Sequence, residues 1–176
     1  MIANFTIDRD DFFALQSDAI ETSKAYKKRK LLFVIIITMI APVISWFKFE
    51  SIPLAIFASM FSAFGGYLLY DLFTVLKFEM FYKNDEKILK HSFGLGNCEL
   101  ILSEEGLIKK FKDKKEESAK WSQVIKARQD EERYFLYITD LNAIVIKKTP
   151  DNMNTDEVKA YNDFITISLS KVGCSL

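Results

Sequence analysis

The 176-residue chain has one histidine, His91, and two cysteines, Cys98 and Cys174, 76 positions apart. A zinc centre draws on about four nitrogen or sulfur ligands, so none is expected. The cysteines have no CxxC spacing and read as a reduced pair in a cytosolic setting. A charge surplus is also lacking: 24 basic residues balance 24 acidic ones. Nucleic-acid binders usually carry a basic excess, so no nucleic-acid partner is expected. The signatures of catalysis are missing as well, with no Gly-x-Ser-x-Gly, no His-Glu-x-x-His and no phosphate-binding loop. Gly94–Leu95–Gly96 leads into a strand pattern, the wrong context for a dinucleotide turn. The acid-rich stretches Asp8–Asp11 and Asp130–Arg133 fall at a helix start and at a turn, where charge is usually solvated. The expectation is a protein that is not an enzyme, with no catalytic, cofactor or metal site.

What the chain does have is unevenly placed. Leu31 to Phe47 gives 17 residues without a charge, and Ser51 to Tyr70 gives 20 more. As helices these reach roughly 25 and 30 Å, against a hydrocarbon layer of about 30 Å. Both runs are apolar on every side, unlike soluble helices, which keep a polar face. The first starts too far into the chain, is too long and lacks the cleavage motif of a signal peptide. Two membrane spans are therefore expected, with Pro42 kinking the first. Only Lys48 to Ser51 separates them, which forces an antiparallel hairpin. Ser51 can cap the second helix and Pro53 suits its first turn.

Basic residues set the expected orientation. Lys24, Lys27, Lys28, Arg29 and Lys30 precede the first span, and Lys77, Lys83, Lys87 and Lys90 follow the second, whereas the connecting loop has Lys48 alone. That bias keeps both termini in the cytoplasm. Lys27, Lys28, Arg29 and Lys30 are candidate contacts for anionic lipid heads, so membrane lipids are an expected partner. Trp46 and Phe47 would mark the outer interface and Tyr67 and Tyr70 the inner one. Asp71, just past the second span, reads as a solvated interfacial carboxylate.

The second span also carries a stripe of small residues at helical spacing, Ala55, Ser59, Ser62 and Gly66, with Phe57, Phe61, Phe64 and Leu68 on the other side. Small residues let helices approach closely in lipid. The stripe is a candidate seam, for the first helix of the same chain, for a second copy, or for a protein partner such as another membrane protein or a toxin.

The flanks are polar. Asn4 to Ile7 alternates like a short strand that can complete a sheet. Asp8 can cap a following helix, with Asp11 at its third position and Phe12, Leu15, Ala19 and Ala25 on its apolar side. After the spans, Phe78, Phe81, Tyr82, Asp85, Ile88 and Leu89 share a helical face, which would extend the second span into one long rod ended by Gly94 or Gly96. From Asn97 the period changes to two. The strands read as "CELIL", "LIKKFK", "SAKWSQVIKARQ", "YFLYIT" and "AIVIKK", joined by short polar turns, one with Gly106 where φ can be positive. Lys109, Lys110, Lys112, Lys114 and Lys115 cluster at one tip, diluted by Glu116 and Glu117, and read as a solvated hairpin end. Asn154 with Glu157 forms a capping box for a last helix whose apolar side is Val158, Tyr161, Ile165 and Leu169. The fold class expected is an α+β membrane protein: a strand and helix over 1–30, a two-span hairpin over 31–76, and over 77–176 an antiparallel β domain of pleckstrin-homology-like layout closed by a C-terminal helix.

The succession of the "FT-I" strand, the two-span hairpin, "CELILSEEGL", "KWSQVIKA", "YFLYIT" and "AIVIKK" resembles the YcxB-like membrane proteins of bacteria across almost the whole chain. Trp121 in "KWSQV" and the "YFLYI" strand carry most of the resemblance. Pro150 in "KKTPDNM" stands where many members have a proline-bearing segment before the closing helix. The resemblance implies a bacterial inner-membrane location, a cytosolic domain related to pleckstrin-homology folds, and no established catalytic residue. The functions it leaves open are a binding or regulatory role, self-protection (immunity) against a membrane-active toxin, and a structural role beside another membrane protein.

Overall fold

The computed structural model describes residues 1–49, 51–83, 94–111 and 116–176; the side chains of Phe49, Ala55 and 78–83 lie outside that description. So do Lys87, Lys90, His91, the Asp85–Leu89 part of the proposed rod, and Lys112, Lys114 and Lys115 of the basic tip. The chain is α+β and divides into two compact units, Met1–Thr22 with Lys87–Leu176, and Ser23–Glu86.

The first unit is built from both ends of the chain. Strand β1 (Ile2–Ile7) turns Ala3, Phe5 and Ile7 inward, following its alternation. It pairs antiparallel with β2 (Gly96–Leu102), Ile2 opposite Ile101 and Ile7 opposite Gly96. β2 pairs with β3 (Gly106–Phe111), and β3 with β4 (Glu117–Lys120), to give a four-stranded sheet. The outer edge of β1 is covered rather than bare: Asp151 N–H donates to the Asn4 carbonyl, and Asn4 N–H donates to Asn152 Oδ1.

β5 (Lys126–Gln129), β6 (Arg133–Tyr137) and β7 (Ala143–Lys147) form a second, three-stranded antiparallel sheet. Ser118 to Gln129 was expected as one strand, and the structure divides it. Trp121–Gln123 is a 3-10 turn in which Trp121 N–H donates to the Glu105 carbonyl and Val124 N–H returns to the Trp121 carbonyl. The chain thereby leaves one sheet and enters the other. Trp121 lies in the core, its indole N–H bonded to the Ser103 carbonyl at 2.9 Å. Gly106 also plays a different part from the one expected. Its φ is not positive; a β-carbon there would lie 2.2 Å from the Ala119 carbonyl oxygen, so β4 approaches too closely for any side chain.

Two helices complete this unit. In α1 (Arg9–Thr22) Asp8 accepts from the Asp10 and Asp11 N–H groups while Asp11 accepts from the Asp8 N–H, a reciprocal cap. Phe12, Leu15 and Ala19 are buried as the pattern required. Ala25 does not belong to this face: α1 ends at Thr22, and Ser23 starts a new helix by accepting from the Tyr26 N–H. Helix α4 (Thr155–Lys171) opens on the expected box, Asn154 accepting from Asp156 and Glu157 N–H groups and Glu157 accepting from Asn154. It buries Tyr161, Ile165 and Leu169 completely.

The second unit is a hairpin of α2 (Lys24–Phe49) and α3 (Ile52–Lys83). Both helices are long and apolar enough to cross a membrane. Pro42 lies inside α2, and Pro53 in the first turn of α3.

Candidate interaction surfaces

The seam on α3 faces α2. Gly66 is buried, and a β-carbon placed on it would sit 3.8 Å from Ile37 Cγ2. Ser59 and Ser62 are half-buried on the same side, and Ser62 Oγ donates to the Ser59 carbonyl within its own helix. Ala55 precedes them by one turn, its methyl outside the described residues. Phe57, Phe61, Phe64 and Leu68 point away and are exposed, with Phe57 and Phe61 stacked at 6.3 Å between ring centres. Gly66 thus lies against α2, whereas Phe57, Phe61, Phe64 and Leu68 are exposed.

At the end of the hairpin formed by the start of α2 and the later turns of α3, polar groups converge. Lys30 Nζ donates to Asp71 at 2.6 Å and lies 3.5 Å from the centre of the Tyr67 ring. Tyr26 O–H donates to the other Asp71 oxygen at 2.9 Å and contacts Thr74 Oγ1 at 3.4 Å. The Tyr70 ring packs on both Tyr26 and Phe33. This changes two expectations. Lys30 is buried and committed to Asp71, so it leaves the set of candidate lipid-head contacts, while Lys27, Lys28 and Arg29 are exposed. Asp71 is not merely solvated: it is half-exposed and binds two partners on the facing helix. Their spacing was legible: Tyr26 and Lys30 lie four apart on α2, and Tyr67, Tyr70, Asp71 and Thr74 recur every three to four on α3.

In the first unit, charge gathers where α1 lies on the three-stranded sheet. Asp11 is fully buried and takes Arg133 Nε and, at 3.2 Å, Lys147 Nζ. Lys147 also binds Asp8 at 3.0 Å, and Arg133 reaches Asp130 and Glu132. Asp18 accepts from Arg128 Nε and from the Tyr137 hydroxyl, and Lys126 donates to Thr22 Oγ1. Burial by itself would raise the Asp8 carboxyl, but the Lys147 bond and helix N–H groups hold it below the usual range. Burial and the Asp18 carboxylate both push the Tyr137 hydroxyl up. A network with every acid answered by a base fixes the helix on the sheet. No motif announced it, because its partners lie more than 100 positions apart.

Lys109 was read as part of the solvated tip, and the structure corrects this. It is 3% exposed on the inward side of β3, where its amine donates to the Val145 carbonyl at 3.1 Å. Alternation decides it: Leu107, Lys109 and Phe111 share one face, Ile108 and Lys110 the other. Burial lowers its pKa. Cys98 is buried nearby, its thiol pushed up to about 11 by burial, so it is poorly suited to act as a nucleophile. Cys174 donates weakly to the Val124 carbonyl, and neither thiol is in a disulfide. Among the described residues, no group of histidine, cysteine and acidic side chains is placed to hold a metal ion.

Residues 102–165 match the family model described as YcxB-like protein. No curated protein and no solved structure matches the chain. The matched stretch begins at the last residue of β2, takes in both sheets from there on and the corner at Trp121, and ends inside α4. It leaves out β1, α1 and the hairpin, so the expected resemblance across almost the whole chain narrows to this segment. Over residues 102–165 the chain carries a YcxB-like domain, and its likeness to that family is shown for this segment.

Proposed function

We propose that the protein is a two-span bacterial inner-membrane protein, with both termini in the cytoplasm, that presents a non-enzymatic binding or regulatory domain of pleckstrin-homology-like layout. One observation carries the membrane reading. On α2 and α3 most large apolar side chains point outward, Leu31, Met39, Phe47, Phe57, Phe61, Phe64 and Phe73 among them, whereas in the other unit most such residues are inside. A soluble protein seldom exposes so continuous an apolar surface. Antiparallel sheets of four and three strands with a C-terminal helix support the layout. The ligand class is left to the surface and not read from the fold, which serves many partners.

The orientation follows from Lys24, Lys27, Lys28, Arg29, Lys30, Lys77 and the other flanking lysines against Lys48. In intact cells, a cysteine in place of Lys48 should react with a membrane-impermeant maleimide, and a reporter fused after Leu176 should be active in the cytosol. Reaction at position 48 only after lysis would overturn the orientation, and extraction of the protein by alkaline carbonate would overturn the spans.

A further inference from the structure

The four-stranded sheet turns one face to the core, and strand register fixes what lies on the other. There Asn4 stands opposite Glu99 and Glu99 opposite Lys110, while Thr6 stands opposite Asn97. Between these two rows run Phe5, Cys98 and Phe111. Alternation turns their side chains to the other side, so their backbone forms a floor. The rows wall a depression on this floor, closed at the β1 edge by Asp151, whose N–H donates to the Asn4 carbonyl. Its volume is about 510 Å³, within the ~300–1,000 Å³ of small-molecule sites.

The walls differ from the rest of the unit in what they leave unpaired. Asp8, Asp11, Asp18 and Asp130 each meet a base. Glu99 is half-buried, yet among the described residues none bonds its carboxylate; Lys110, opposite it, turns to Glu116 at 3.3 Å. The Thr6 hydroxyl donates to Asn97 Oδ1 at 2.8 Å, which leaves the Asn97 amide N–H groups to donate elsewhere. The Asn4 side chain likewise has no bond among the described residues, since its neighbour Asn152 takes the backbone N–H instead. The depression thus offers acceptor pairs at Glu99 and Asp151 and donor–acceptor amides at Asn4 and Asn97. Half-buried polar groups of this kind draw their partners from water or from a ligand.

We infer that this depression is a binding site for a neutral polyhydroxylated ligand, a mono- or disaccharide. The inference gives a ligand class to the binding role proposed above and rests on that role, not on the spans. A sugar hydroxyl both donates and accepts, so it answers carboxylate and amide alike, and adjacent hydroxyls suit the two oxygens of Glu99. Anions are disfavoured by Glu99 and Asp151, and organic cations by Lys110 opposite Glu99. Walls of amide and carboxylate give little to an apolar ligand. The site is open and wet, so affinity in the millimolar range is expected.

The test uses the full chain in phosphatidylcholine nanodiscs, which contain no sugar. The probes are methyl glucoside, methyl galactoside, methyl mannoside, N-acetylglucosamine and maltose, followed by saturation-transfer NMR. At least one should bind saturably, and its binding should weaken about tenfold in Glu99→Ala and several-fold in Asn4→Ala. Ser118→Ala, exposed on the same face but on β4 beside Ile108, should bind as wild type. Thermal melts check the fold; if Glu99→Ala melts early, the isosteric Glu99→Gln is read in its place. No saturable transfer to any of these sugars overturns the sugar site and leaves the binding role to other ligands. Binding that survives both Glu99→Ala and Asn4→Ala places the sugar elsewhere and overturns it too. Spermidine that binds in a Glu99-dependent way while every sugar fails makes the ligand a cation, which overturns the class.

Discussion

Phe5, Leu100, Leu136 and Ile146 turn inward in the α+β unit, whereas Phe47, Phe57, Phe61 and Phe64 turn outward in the hairpin. The inside of the hairpin holds small and polar groups: glycine, serine, tyrosine hydroxyls and an ion pair. The residue types are the same, and their placement is inverted. In water, burying large side chains drives folding. In hydrocarbon that gain vanishes, and close approach plus polar contact must hold helices together. If that contrast is right, large-to-small changes should hurt the first unit most and small-to-large changes the second.

The largest effect is expected at Trp121. Its ring is buried at the corner between the sheets, edge-on to Phe164 at 6.4 Å, and its N–H satisfies the Ser103 carbonyl. Trp121→Ala should cost about 3–5 kcal/mol. Urea unfolding of the full chain in detergent, followed by circular dichroism, measures it. A cost under about 1 kcal/mol would put the ring outside the cohesive core and weaken the contrast.

The matching change in the hairpin is Gly66→Leu. A leucine there would extend past the 3.8 Å contact with Ile37 and separate the helices. The expected cost is about 1–3 kcal/mol, as for overpacking, with the oligomeric state unchanged because the seam lies within one chain. Wild-type stability in detergent denaturation would show that the two helices do not depend on this approach. A switch from dimer to monomer would show that a second copy uses the seam.

These positions also show what the sequence could disclose. Both capping boxes were legible because they depend on the 3.6 period and on neighbours within a few positions. β1 as the completing strand was legible from Asn4 to Ile7, yet its partner β2 lies beyond the entire hairpin. The break at Trp121–Gln123 was not legible, because the bonds that make it, to the Glu105 and Ser103 carbonyls, come from another turn. The α1 network was hidden for the same reason: Asp11 and Arg133 are 122 positions apart. Lys30 was assigned to lipid by its neighbours in sequence, and Asp71 across the hairpin claims it instead. Lys109 was drawn toward solvent by the charged run around it, while strand alternation turned it inward.

Lys109 is also where the α+β unit departs from its own rule. The amine is buried with a single carbonyl acceptor described for it. Lys109→Met should therefore stabilise the protein at neutral pH, by roughly 1–2 kcal/mol. The sign with pH follows from burial, which sets the folded pKa below the ordinary 10.5. Below the folded value both states carry the proton and the full cost of the buried charge is present. As pH rises toward 10.5 the folded state releases its proton first, so the cost is relieved. The advantage of Lys109→Met should shrink over that window. The phenols of Tyr137 and Tyr161, raised by burial, lose stability as pH rises further, in wild type and variant alike. Thermal melts of both proteins at matched pH values isolate the difference; an advantage that grows with pH would refute the account.

The smallest effect, and the sharpest probe of the contrast, is the Lys30–Asp71 pair. Its geometry is close, at 2.6 Å, and Tyr67 and Tyr26 add to it. The Asp71 side chain is 47% exposed, however, and that exposure weakens the attraction. Polar contacts between membrane helices average well below 1 kcal/mol, because unfolded segments in lipid find other partners. A double-mutant cycle of Lys30→Met and Asp71→Leu should thus return a coupling of about 0.5–1 kcal/mol. Asp71→Leu alone should cost more than the double change, since it leaves the buried ammonium without its acid. Additive costs, with no coupling, would mean that the hairpin is held by the seam alone. A coupling of several kcal/mol would mean that this end of the hairpin is as dry as the core around Asp11, and the two units would then differ less than their outward faces suggest.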